Sequence, residues 1–302
     1  MQIPNKPKTK TGKDKKTCIE VTEQSELMKF LISKLPDKSR SDIKSLLAHR
    51  QISVDNEVIT QFNHALKMGQ QVVVNWAKVL IEKQPEGLKI VFEDPYIIII
   101  EKQAGLLSIA TTTEKEQTAY SVLSEHVKKR DSKNKIFVLH RLDRDTSGVM
   151  MFAKSEKIQQ LLQNAWKEVV LERSYVAVVE GQVTKEQGTI TSWLTESKAF
   201  IMYSSRTPND GQKAVTHYKV LKQNKNYSLL EVNLETGRKN QIRVHMKDIG
   251  HSIIGDKKYG ATKHPIGRLG LHARLLAFRH PVTGEEVRYE TDIPKVFLSL
   301  FS

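Results

Sequence analysis

Cysteine is almost missing from this chain: Cys18 is the only one in 302 residues. One thiol excludes an intrachain disulfide and a cysteine-built zinc site, and it suits a reducing compartment, so a cytoplasmic location is expected. Long apolar runs are missing as well. The longest aliphatic stretch, Ile97 to Ile100, falls far short of the ~20 residues that a membrane-spanning helix needs. No apolar segment follows the basic N-terminus, so no signal peptide is expected. Glycine (15) and proline (9) are too few, and hydrophobic residues (39%) too many, for a fibrous, collagenous or wholly disordered chain. Acidic residues are in short supply, 34 against 48 lysines and arginines, which leaves a formal charge of +14. An excess of that size speeds encounter with polyanions and supports counterion-release binding, which makes nucleic acid the expected partner. No basic amphipathic helix is present to serve a membrane surface instead.

The length fits about two domains. Residues 1–16 carry Lys6, Lys8, Lys10, Lys13, Lys15 and Lys16 against Asp14 alone, without apolar periodicity, and are expected to form a disordered basic arm. Over residues 17–78 the pattern changes. Leu27, Phe30 and Leu31 fall at helical spacing, and a second helix starting at Ser39 or Ser41 has Ile43, Leu46 and Leu47 on one side. Lys38, Arg40, Lys44, His49 and Arg50 surround that stripe. Ile52 to Val54 and Val58-Ile59 flank Asp55-Asn56 as a hairpin, and Val72 to Val74 form a closing strand. This order, carried by SRSDIKSLLAHRQISVDNEVI, resembles the S-four-like RNA-binding domain named for a ribosomal protein. The resemblance makes Arg40, Lys44, His49 and Arg50 candidate RNA contacts, against the plainer reading of a solvated basic face.

Residues 79–88 read as a polar linker, with a larger domain over 89–302. There Ile90 to Phe92 and Tyr96 to Ile100 pair around Asp94-Pro95, and Tyr120, Leu123 and Val127 suggest a helix. Ile158, Leu161, Leu162, Ala165, Trp166 and Val169 predict one amphipathic helix capped by Ser155, followed by a buried strand from Glu172. The stretch 185–213 is polar and loop-like. A half-exposed strand over Leu230 to Leu234 leads to Thr236-Gly237-Arg238, then to a helix with Ile242, Met246 and Ile249 inward that stops at Gly250. A hairpin around Pro281 to Gly284 and an apolar closing element, Val296 to Leu300, end the chain.

Charge is concentrated in VLHRLDRDTSGVMM, Val138 to Met151. A histidine, two arginines and two carboxylates stand between apolar flanks, so Asp143 and Asp145 should be partly desolvated and should need a cation. Alternate residues of an extended chain point to opposite sides, so only one of the two is expected to act, and the residues alone do not choose between them. The neighbours are basic, which favours a charged carboxylate acting as nucleophile or base over a protonated acid. HRLDRD is not a kinase loop, for no glycine-rich loop precedes it and no Asp-Phe-Gly follows. GHSIIGDK from Gly250 has the outer glycines of a phosphate loop, but Asp256 stands at the lysine position, and a simple turn is expected. His245, His251, His264, His272 and His280 are dispersed without metal-ligand spacing, so no metal site is expected.

HRLDRDTSG, RSYVAVVEG, TGRKNQIRVHM and LHARLLAFRHPVTGEE, in this order, resemble the motifs of the RluA-type pseudouridine synthases, which include the ribosomal large subunit pseudouridine synthases. The resemblance covers nearly everything from Leu88 onward. It implies an α+β fold, a mostly antiparallel mixed sheet flanked by helices with the cleft across its middle, next to a small N-terminal α/β RNA-binding domain. It implies an isomerase that converts uridine to pseudouridine in structured RNA, ribosomal RNA before transfer RNA, with no cofactor; a monomer is expected. Asp143 would be the catalytic aspartate, Arg243 its ion-pair partner, and Tyr175 a stacking and proton-moving residue. Arg141 would enter the RNA stack, and Arg238 and Lys239 would contact RNA. Packing is the competing reading for Tyr175, charge saturation for Arg243 and phosphate binding for Arg141. Two positions depart from the family pattern: Lys102-Gln103-Ala104-Gly105 lacks its proline, and Asn240 stands where histidine is frequent. Neither is expected to fall on an acid-base position. The rival reading is an RNA-binding protein or RNA chaperone that uses the same fold without turnover.

Overall fold

The structure, a computed structural model, describes residues 16–48, 51–76, 86–111, 118–208 and 210–302. Most of the basic arm, the candidate contacts His49 and Arg50, and most of the linker therefore lie outside the described residues. The chain divides into two compact units, Met1–Lys83 and Gln84–Ser302.

The first unit contains β1 (Lys16–Glu20), β2 (Ser25–Glu26), α1 (Leu27–Lys34), α2 (Arg40–Ala48), β3 (Ile52–Val54), β4 (Glu57–Val58), β5 (Ala65–Leu66) and β6 (Gln71–Asn75). Helix α2 starts where a reciprocal cap forms. The Asp42 N–H donates to Ser39 Oγ (3.1 Å) while the Ser39 N–H donates to Asp42 Oδ2 (2.9 Å). Ile43 and Leu47 then face Leu27, Phe30, Ile52, Val72 and Val74 in one core, and Arg40 and Lys44 are left exposed. The β3–β4 turn has Asp55 and Asn56 at φ +48° and +72°, the paired left-handed residues of a tight hairpin. One correction concerns the arm. Lys16 opens β1, which pairs antiparallel with β6 from Lys16↔Asn75 to Glu20↔Gln71. The segment KTCIE carries too little apolar character to announce a strand, and the open edge of β6 recruits it.

The second unit is built on a sheet whose described strands are β7 (Leu88–Glu93), β8 (Ile97–Lys102), β9 (Phe137–Val138), β10 (Ser147–Ala153), β11 (Val170–Glu180), β12 (Gln187–Glu196), β13 (Met202–Ser205), β14 (Gln212–Gln223), β15 (Tyr227–Leu234), β16 (Leu271–Arg279) and β17 (Glu286–Glu290). The order is β13-β12-β14-β15-β11-β16-β10-β8-β7, with β17 on β16 and β9 on β10. Pairing is antiparallel except between β10 and β16, so the sheet is mixed and mostly antiparallel. Helices α3 (Ala119–Lys128), α4 (Glu156–Asn164), α5 (Trp166–Val169), α6 (Gln241–Asp248) and α7 (Lys295–Leu298) flank it.

The isoleucine run now has a reason. Ile98 and Ile100 pack with Met150, Phe152 and Leu123 on one face, and Ile97 and Ile99 with Met151, Ile158 and Leu162 on the other. A strand covered on both faces reads as continuous hydrophobicity. Each such side chain contributes about 1.5–3 kcal/mol by leaving water. Gly148 sits where β10 leaves the charged loop and runs parallel to β16; its φ is +119°, and a Cβ would lie 2.0 Å from the Ala273 carbonyl oxygen. Only glycine permits that approach.

Two expectations fail here. The stripe Ile158 to Val169 is not one helix, since α4 ends at Ala165 and Leu161 is exposed. The chain must turn there to bring Val170 opposite Phe278, and sheet pairing overrides the helical period. The stretch 185–213 is not a loop either. It forms β12, β13 and the start of β14, which read as polar because they are half exposed and because β12 turns Ser192 inward to meet His245 (2.9 Å). Among the described residues no helix is long and apolar enough to cross a membrane.

Candidate active site

Between β9 and β10 the chain crosses from His140 to Thr146 without regular structure, and side chains take over the work of holding it. The Leu142 N–H donates to Ser108 Oγ (3.1 Å), and Ser108 Oγ donates to the Leu142 carbonyl (2.7 Å). The ammonium of Lys102, whose side chain is fully buried, donates to the carbonyls of Leu106 (2.7 Å), Arg144 (2.9 Å) and Gln103 (3.0 Å). Burial lowers the Lys102 pKa to about 8, although Asp145 and Asp143 pull the other way. The Met151 N–H donates to His140 Nε2 (3.0 Å), which keeps that nitrogen unprotonated. Burial, then the charge of Arg173, pushes the pKa of His140 down to about 4. Leu142 is buried between these ties, so Asp143 stands at the end of an anchored segment.

Helix α6 supplies the cation. Arg243 Nη1 lies 3.1 Å from Asp143 Oδ2, while Nε and Nη2 donate to the two oxygens of Asp256 at 2.7 and 2.8 Å. Asp256 is buried, and the guanidinium also stacks over the Tyr259 ring at 4.9 Å. Burial alone would lower the pKa of Arg243, but its bonds to Asp256 and then to Asp143 overcome this and raise it above the ordinary arginine value. A second donor reaches Asp143 from Asn240, which precedes α6 in the left-handed conformation (φ +52°). Its Nδ2 donates to Asp143 Oδ2 at 2.6 Å, and its Oδ1 accepts from Tyr259 Oη at 3.1 Å. Tyr259 Oη in turn accepts from the Met202 N–H of β13 (3.1 Å). The two roles of Asn240 assign its amide unambiguously, nitrogen to the carboxylate and oxygen to the phenol.

Asp143, Arg243 and Tyr175 line one cleft with Arg141, Arg238 and Leu271. Tyr175 comes from β11 opposite Val232 and Ala273. Burial raises the pKa of its phenol, against the opposing pull of Arg173. Arg141 is exposed at this cleft. Arg238 Nε donates to the Lys213 carbonyl (3.1 Å), and Lys239 pairs with Glu196. Arg40 and Lys44 belong to the first unit and are not among these residues.

Three readings of the residues need correction. Asp145 is exposed, so the two carboxylates of the loop are not equally desolvated, and Asp143 is the one that meets Arg243 and Asn240. The GHSIIGDK segment is more than a turn, since its Asp256 grips Arg243; the missed signal was a buried arginine with one forecast carboxylate and room for a second. Asn240, expected to lie off any acid-base position, bonds directly to Asp143. Four of the five dispersed histidines have ordinary polar partners, among them His251 on the Glu180 carbonyl. His245 bonds to Ser192 and Thr216, His272 to Ser147 and Thr291, and His280 to Asp94. Among the described residues no group of three or more His, Cys, Asp or Glu could hold a metal ion.

Residues 96–248 match the RNA pseudouridylate synthase family, a range that includes Asp143, Tyr175, Asn240 and Arg243 and stops before Asp256. The chain is 34% identical over 248 residues, 81% of its length and 87% of the relative's, to the uncharacterized RNA pseudouridine synthase YjbO of Bacillus subtilis (strain 168). It is 32% identical over 284 residues, 89% of its length and 75% of the relative's, to the ribosomal large subunit pseudouridine synthase D of Neisseria meningitidis serogroup B. In three dimensions it resembles the human RNA pseudouridylate synthase domain containing 4 at a TM-score of 0.57 and 24% identity, over 69% of this chain and 90% of that one. The chain belongs to the RluA family of RNA pseudouridine synthases, which are isomerases.

Proposed function

We propose that this enzyme converts uridine to pseudouridine in structured RNA, large-subunit ribosomal RNA before transfer RNA, with Asp143 as the catalytic carboxylate. The observation that carries the proposal is the asymmetry of that carboxylate. Oδ2 accepts from both Arg243 and Asn240, whereas Oδ1 accepts no hydrogen bond among the described residues, and Asp143 lines the cleft. Asp143 either attacks the anomeric carbon or removes the neighbouring sugar proton, and each route breaks the bond between uracil and ribose. The freed uracil turns and rejoins the sugar through a ring carbon. Substrate and product contain the same atoms, so the step calls for no cofactor and no metal.

Tyr175 supports this route because burial keeps its phenol protonated, able to stack on the uracil and to pass a proton. Neither the anomeric carbon nor a turning base has room inside a stacked helix, so the nucleotide must leave the stack at a cost of a few kcal/mol. Arg141, exposed beside the cleft, is suited to fill the vacated place, and Arg238 and Lys239 to hold the backbone. Ribosomal RNA is favoured by the name of the Neisseria relative. The first unit, whose helices and hairpin resemble an S-four-like domain, would add binding energy through Arg40 and Lys44 on α2.

The test is Asp143→Ala, with pseudouridine mapped across total RNA. Product should vanish while RNA affinity is largely retained, and persistent product would refute the assignment. Modified sites confined to transfer RNA would overturn the ribosomal reading alone.

A further inference from the structure

The hairpin joining β12 to β13 is built against its own conformational preference. The Ser197 N–H donates to the Ile201 carbonyl (2.8 Å) and the Phe200 N–H to the Ser197 carbonyl (2.9 Å), which closes a short tip over Lys198, Ala199 and Phe200. The last tip residue of such a turn is left-handed, where glycine or asparagine is relaxed. Phe200 holds that position at φ +58°, and its Cβ makes the conformation unfavourable. Core packing offers no compensation, since Phe200 is 71% exposed and Ile201 beside it is 41% exposed. A large aromatic kept at a strained and wet position points to a ligand.

Charge and position identify the ligand. Lys239 Nζ lies 5.8 Å from the Phe200 ring centroid, and Lys258 Nζ donates to the Phe200 carbonyl (2.7 Å). Lys198 is exposed on the tip itself. Three lysines against Glu196 make the surroundings cationic. The hairpin is also tied to the catalytic centre through the Met202, Tyr259, Asn240 and Asp143 series of hydrogen bonds. An exposed ring among cations, on a hairpin linked to Asp143 by a series of hydrogen bonds, suits the base of a nucleotide near the target, with its phosphates on the lysines. Duplex RNA would offer phosphates but no free base face.

We infer that Phe200 is a stacking platform for an unpaired base flanking the target uridine, and that the enzyme thereby selects uridines in loops or single strands. The inference rests on the RNA reading above, and the placement of the base beside the target rests on the role of Asp143.

The experiment compares Phe200→Gly with the wild-type full chain for binding to a short oligouridylate and to a short RNA duplex. Glycine relaxes the turn, so thermal stability should hold or rise, which separates misfolding from lost binding. Affinity for the single strand should fall about tenfold, the size of one lost stack. Duplex affinity and the salt slope should not change, because no charge is removed. Phe200→Tyr should bind the single strand like wild type. Wild-type binding of oligouridylate by Phe200→Gly, or an equal loss on the duplex, would overturn the inference. Loss of single-strand affinity in Phe200→Gly alongside persistent product in Asp143→Ala would refute the catalytic reading and the placement beside the target, and would leave Phe200 standing as a platform for an unpaired base.

Discussion

Asp256 takes two of the three guanidinium nitrogens of Arg243, at 2.7 and 2.8 Å, and so leaves Nη1 as the nitrogen presented to Asp143. The arginine is therefore aimed as well as charged. A guanidinium held on one edge cannot follow a wandering carboxylate, so the fork geometry of arginine fixes where Oδ2 rests.

Asp256→Asn should therefore reduce both stability and turnover. Removing one partner of a buried pair costs about 3 kcal/mol. Chemical denaturation and single-turnover pseudouridine formation measure the two effects, and a variant with wild-type values for both would show that Asp256 does not position Arg243.

Asn240→Asp replaces a donor 2.6 Å from Asp143 Oδ2 with a second acid. Two carboxylates at that distance share a proton, and the acid limb of the kcat/KM profile should move up by about one pH unit or more. Restoring a donor with Asn240→His should return the limb toward its original position. An unmoved acid limb in Asn240→Asp would mean that Asn240 does not act through Asp143.

Acid stability follows from buried imidazoles. Burial holds His245 and His272 at pKa values of about 4, against an ordinary 6.5. Both are neutral in the folded and unfolded chains above pH 6.5. Below that the unfolded chain gains protons that the folded one refuses. Stability is then lost as pH falls from 6.5 toward 4. Each histidine contributes a slope of about 1.4 kcal/mol per pH unit within that window. Urea unfolding of His245→Asn beside wild type should show a slope smaller by one proton; equal slopes would contradict a neutral buried His245.

The first unit is tested on α2. Arg40→Ala with Lys44→Ala should reduce the slope of log affinity against log salt by about 1.5 if each side chain neutralises one phosphate. Turnover at saturating RNA should stay the same. An unchanged slope would remove α2 from the RNA surface.

Much of the fold could be read from local pattern. Ile97 to Ile100, the Asp55-Asn56 hairpin, the Ser155 cap and the α6 stripe stopped by Gly250 each state a nearest-neighbour preference, and each element formed there. Polar strands could not be read this way. β1 and β12 are held by the edges they join more than by their own apolar content. Ala165 ends α4 because Val170 is needed in the sheet, a demand set by residues more than one hundred positions away.

By itself the sequence determined the charge, the strand and helix periods, and the crowded HRLDRD segment, because these depend on residues close together in the chain. Tertiary structure alone decided which carboxylate is held and how. Asp143 meets Arg243 across 100 residues and Asn240 across 97, and Asp256 enters from a turn that looked inert. Ion pairs and hydrogen bonds act over a few ångströms of space, and distance along the chain carries no information about which groups folding will bring that close.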